Sequence, residues 1–111
     1  MEKRKYELTT TGINCALIDY LRNNKDTLFL NNTTGENPCI VSVPFVNIQE
    51  KFRGKGLYKF RGDAMIRTTN KEGVISEDSK AISGFVQISI DCNGELYVEK
   101  VDEPISLISN V

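Results

Sequence analysis

Pro44-Phe45-Val46-Asn47-Ile48-Gln49-Glu50-Lys51-Phe52-Arg53-Gly54-Lys55-Gly56-Leu57-Tyr58-Lys59-Phe60-Arg61-Gly62-Asp63-Ala64-Met65-Ile66-Arg67 is the stretch on which the fold turns, because its two halves carry different periodicities. In the first half Pro44 suits the opening turn of a helix. Phe45, Ile48 and Phe52 then stand at offsets 0, 3 and 7, and Gly54 can take the left-handed stop. The spacing predicts a short helix from Phe45 to Arg53. From Tyr58 the pattern alternates instead. Tyr58, Phe60, Gly62, Ala64 and Ile66 share one side, and Lys59, Arg61, Asp63, Met65 and Arg67 share the other. That is a strand with one face turned to a core.

The same stretch repeats a four-residue word, Lys51-Phe52-Arg53-Gly54 and Lys59-Phe60-Arg61-Gly62. One copy falls at a predicted helix end and the other on a strand, so the repeat is verbal rather than structural, and it is too short to mark a repeat architecture. Its charge is the stronger signal. Six Lys or Arg (51, 53, 55, 59, 61 and 67) face the single acid Asp63 between Lys51 and Arg67, a local balance of +5 in a chain whose net charge is −1. The compensating acids lie downstream: from Glu72 to Val111 eight acids accompany two bases, a balance of −6.

Upstream of this stretch, Lys5 to Thr9 reads as a short strand. Thr9, Thr10 or Thr11 can then cap a helix over Thr11–Asn23 whose apolar residues, Ile13, Ala16, Leu17, Tyr20 and Leu21, trace one face. Thr27–Leu30 and Cys39–Val43 read as strands on either side of a polar loop, residues 31–38, rich in turn formers. Downstream, Thr68–Ser83 is polar, contains a Glu72-Gly73 turn, and reads as a long mobile connection. The last clear element is a hairpin. A three-residue loop Cys92-Asn93-Gly94 pairs Ile90 with Leu96 and Ile88 with Val98, whereas a two-residue loop mismatches them, so the longer loop is expected with Gly94 left-handed. The apolar tail after Pro104 adds an edge strand or docks on a partner.

These elements make an α+β fold: one small domain of 111 residues with an antiparallel sheet of about five strands, one amphipathic helix packed across it, and a second short helix. The near-zero net charge provides no global field towards nucleic acid or membrane, so any electrostatic role is local. No secretion signal or membrane-spanning run is present, which predicts a soluble cytoplasmic protein. Cys15, Cys39 and Cys92 are odd in number and widely spaced in a chain without histidine. Neither a disulfide framework nor a metal site is expected, and the thiols should be reduced and partly buried.

The absence of histidine also removes the commonest general base, and Gly54-Lys55-Gly56 lacks the spacing and the Ser or Thr of a phosphate-binding loop. A non-enzymatic binding protein without cofactor is expected. Cations interleaved with rings and glycines suit an anionic partner, because cations meet phosphates and rings stack on bases. The expected binding residues are Lys51, Arg53, Lys55, Tyr58, Lys59, Arg61 and Arg67, with Phe52 and Phe60 on the inward faces. The partner would be nucleic acid, a nucleotide or a nucleoprotein. An inhibitor or adaptor that binds another protein through its charge poles and apolar tail is the alternative, and the same poles allow a homo-oligomer.

Overall fold

The computed structural model describes residues 8–31, 37–52 and 56–108, and for residues 50–52 the backbone alone. Thr9 starts the first element. With extended backbone angles it turns its Oγ1 to accept the Gly12 amide at 3.0 Å, satisfying one of the donors a helix start leaves unpaired. Helix α1, Thr10–Asn23, follows and buries Ile13, Ala16, Leu17 and Leu21, four of the five residues that the periodicity marks. Tyr20 packs at the margin of the same core. At the far end both the backbone and the side-chain amides of Asn24 donate to the Tyr20 carbonyl, at 3.1 and 2.8 Å. The chain then turns through Asn24–Thr27, so the strand expected at Thr27–Leu30 reduces to an isolated parallel bridge between Leu30 and Ile105.

Among the described residues five strands follow: β1 Cys39–Phe52, β2 Leu57–Thr69, β3 Ile75–Ile90, β4 Leu96–Val101 and β5 Ser106–Ile108. They form one antiparallel sheet in the order β1-β2-β3-β4. Strand β4 pairs with residues 86–90 of β3 and β5 with residues 81–83, so the two short strands lie end to end along one edge of β3. The antiparallel sheet and the amphipathic helix agree with the sequence-based expectation. The strand expected over Lys5–Thr9 lies mostly outside the described residues, as do positions 32–36 of the polar loop.

The second helix is not there. Residues 45–52 continue β1, in register with β2 from Phe45↔Asp63 to Phe52↔Leu57. The helical spacing has a physical source: β1 is irregular between Ile40 and Ser42, Ser42 and Phe45, and Ile48 and Glu50, and each extra residue breaks the period of two. The buried side chains therefore fall unevenly, at Ile40, Val43 and Val46. Pro44 fits because β1 is an edge strand, where a missing amide hydrogen at an irregular position breaks no ladder bond.

The connection expected over residues 68–83 is likewise replaced by the end of β2, a tight turn and the first half of β3, in unbroken register from Thr69↔Ile75 to Arg61↔Ser83. The β3–β4 hairpin matches expectation: Ile90 pairs with Leu96 and Ile88 with Val98, and Gly94 has φ +79°.

One face of the sheet meets α1. Phe60, Ala64 and Ile66 from β2, Ile82, Val86 and Ile88 from β3, and Leu96 and Val101 from β4 join the helix residues and Ile105 in one buried cluster. Each large side chain so buried is worth roughly 1.5–3 kcal/mol. Two glycines make the packing possible. A Cβ on Gly84 would come within 2.9 Å of Phe60 Cζ, so the ring lies over a position that only glycine leaves vacant. A Cβ on Gly62 would overlap the Phe45 carbonyl and approach Val46 Cα to 2.9 Å, so Gly62 sets how closely β1 and β2 meet.

Helix α1 and the turn after it also cover the outer edge of β1. The Ile48 amide donates to Asn14 Oδ1 at 2.8 Å, Arg22 Nε donates to the Val43 carbonyl at 3.0 Å, and Lys25 Nζ to the Val41 carbonyl at 3.3 Å. These bonds occupy groups that an exposed edge would otherwise offer to another strand.

Candidate functional site

Alternation along β2 sorts the residues of the basic stretch onto two faces. Phe60 is fully buried beneath α1, and Tyr58, two residues before it, is half-buried on the same side. Tyr58 lines a cleft of about 650 Å³ below the start of the helix with Ile13, Ile48 and Ile88. Lys59, Arg61 and Arg67 are exposed on the opposite face, which no described element covers. The expected set is thus divided: three cations share the open face and Tyr58 belongs to the helix side. Arg53 and Lys55 lie outside the described residues, as does the side chain of Lys51, whose backbone pairs with Tyr58. The side chain of Phe52 is also outside them.

The three open-face cations differ. Arg67 donates from Nε at 2.9 Å and from Nη2 at 2.7 Å to Glu77 Oε1. Its pKa stands above the ordinary arginine value, first because Glu77 accepts those hydrogen bonds and second because of the attraction between the charges. Arg67 is thereby held to its cross-strand neighbour. Lys59 and Arg61 make no ion pair among the described residues. They stand two residues apart on an interior strand, and Asp63 follows Arg61 at the same spacing on the same face without pairing to it.

Because residues opposite one another in an antiparallel sheet share a face, the register shows what flanks them. Lys59 lies opposite Phe85 of β3, Arg61 lies between Asn47 of β1 and Ser83 of β3, and Asp63 lies opposite Phe45 of β1. Phe45 is 54% exposed and Phe85 36% exposed. Sequence reasoning missed both rings. Phe45 falls, by its spacing, on the apolar stripe of a helix that does not form. Phe85 carried a usable signal, since it falls out of phase with Ile82, Val86 and Ile88, all of which are buried.

The remaining chemistry is sparse. Cys15 is half-buried, while Cys39 and Cys92 are exposed, and all three are free thiols. Among the described residues no group of His, Cys, Asp or Glu is placed to hold a metal, and no helix is long and apolar enough to cross a membrane. The apolar tail is built into the fold as far as residue 108, beyond which it lies outside the described residues: Ile105 is fully buried, and the Leu107 amide donates to Asn31 Oδ1 at 2.6 Å. Strand β5 continues from it along β3.

Compared with known proteins, the chain matches no family model, no curated protein and no solved structure.

Proposed function

We propose that this chain is a non-enzymatic binding module that engages an anionic partner on the open face of its sheet, with Lys59 and Arg61 as the principal contacts. The observation that carries this reading is the pair itself. The two exposed cations share an interior strand, without an ion pair among the described residues, between strands that present exposed rings. An open sheet face of this kind suits an extended polyanion better than a compact one, because cations spaced along a strand meet successive negative groups. Lys51, Arg53 and Lys55 precede them along the chain and add to the same local charge. Binding of this kind requires no nucleophile, general base or metal.

The test uses a sulfated polysaccharide matrix as a polyanion of defined charge. Changing Arg53, Lys59 and Arg61 together to Gln is expected to lower the salt concentration needed for elution and to flatten the salt dependence of binding, with the unfolding midpoint unchanged. Elution of the triple variant at the same salt as the parent would overturn the proposal, and so would failure of the parent chain to be retained at low salt.

A further inference from the structure

The register of the open face sets three groups in a line. Phe45 on β1 is level with Asp63, Arg61 is two residues back along β2, and Phe85 on β3 is level with Lys59, two residues back again. Each step crosses one strand and moves two residues, so the three side chains mark a straight diagonal across the sheet: ring, guanidinium, ring. With strands about 4.8 Å apart and a rise of about 3.35 Å per residue, successive groups stand ~8 Å apart and the two rings ~16 Å apart. Lys59 lies beside the second ring. Asp63 lies beside the first, on the side away from Lys59, and would repel a negative chain passing there.

This arrangement distinguishes among polyanions. A sulfated polysaccharide or the outside of a duplex presents charge but no flat aromatic face, so the rings on the diagonal find no base to stack on. Bases within a duplex are stacked at ~3.4 Å and offer no face to a protein ring. A single strand has bases free to turn outward, and stacking on aromatic rings with cations on the intervening backbone is the general mode of single-strand binding.

Resting on the reading of the open face as an anion-binding surface, we infer that its partner is a single-stranded nucleic acid. One base stacks on Phe45 and another on Phe85, while Arg61 and Lys59 hold the backbone between them. The diagonal fixes the path of the strand, from β1 to β3 across β2, and leaves Arg67 outside it, held by Glu77.

Fluorescence anisotropy with labelled oligothymidylate, a duplex of the same length and a heparin fragment as the base-free polyanion tests this. The parent chain is expected to prefer the single strand. Removing either ring, by Phe45→Ala or Phe85→Ala, is expected to weaken single-strand binding roughly five- to a hundred-fold while leaving heparin and duplex binding unchanged. Phe85→Leu keeps apolar bulk against its neighbours without the ring and should lose the same preference, which separates stacking from disturbed packing. If all three ligands bind equally and the ring variants change nothing, this inference falls while the anion-binding reading stands. If none of the three binds at low salt, both fall.

Discussion

The turn between β2 and β3 and the turn between β3 and β4 are built to one plan. In the first, Asn70 Oδ1 accepts the amides of Glu72 and Val74, each at 2.9 Å, and Gly73 has φ +83°. In the second, Asp91 Oδ1 accepts the amides of Asn93 and Glu95, each at 2.9 Å, and Gly94 has φ +79°. The backbone bonds match as well. The Asn70 amide donates to the Val74 carbonyl at 3.0 Å and that of Asp91 to the Glu95 carbonyl at 2.9 Å, and both glycine amides donate back to the first residue at 3.0 Å. What differs is the strands. The second loop joins Ile88 and Leu96, both buried, whereas every residue from Asn70 to Ser79 is exposed. A loop needs only its side-chain acceptor and its left-handed glycine, and it closes in the same way whether or not a core lies beneath.

The strongest way to break this comparison is to remove one apolar side chain from the strand after each loop. Leu96→Ala is expected to cost about 2–5 kcal/mol, as a buried leucine does, and Ile75→Ala less than about 0.5 kcal/mol, as at a surface position. Denaturant midpoints read both. Equal costs would mean that the outer end of the β2–β3 hairpin packs against something. A smaller effect comes from the glycines. Nothing lies within 4 Å of a Cβ at Gly73 or Gly94, so alanine at either place meets only the left-handed backbone penalty of roughly 1–2 kcal/mol. Gly94→Ala should lower the global midpoint, and Gly73→Ala should chiefly speed amide exchange near its own loop, because those residues open without disturbing the core. A matching fall in midpoint for both would show the two hairpins to be equally coupled to it. The smallest effect is expected from Glu77→Gln. It removes the partner of Arg67, leaves the midpoint unmoved, and makes exchange near Arg67 faster and less sensitive to salt.

The same contrast explains what was legible. The β3–β4 hairpin could be read because matching Ile90 with Leu96 selects one loop length. In the first half of β3, Ser76-Glu77-Asp78-Ser79-Lys80 has no apolar face to read, and the segment passes for a connection although its turn chemistry is present. Strand β1 failed in the opposite way. Its apolar residues are plain, but three irregularities shift their spacing towards that of a helix. At the candidate site the alternation of Lys59 and Arg61 with Phe60 was visible from Tyr58 onward, so their outward direction was predictable. The rings beside them were not, because Phe45 lies 16 positions from Arg61 in the chain and Phe85 26 from Lys59, and only strand pairing brings each ring to the pair.

The sequence by itself determined the features whose energies are local: a threonine cap before α1, the buried face of that helix, the alternation of β2 from Tyr58 to Arg67, and the left-handed turn at Gly94. Each rests on interactions within a few residues, which a periodicity or a side-chain type reports directly. Only the tertiary structure decided that residues 44–52 extend rather than coil, that β5 shares an edge of β3 with β4, and that Phe45, Arg61 and Phe85 fall on one diagonal. Those outcomes depend on the register between strands far apart in the chain, which is set by packing the whole inner face at once.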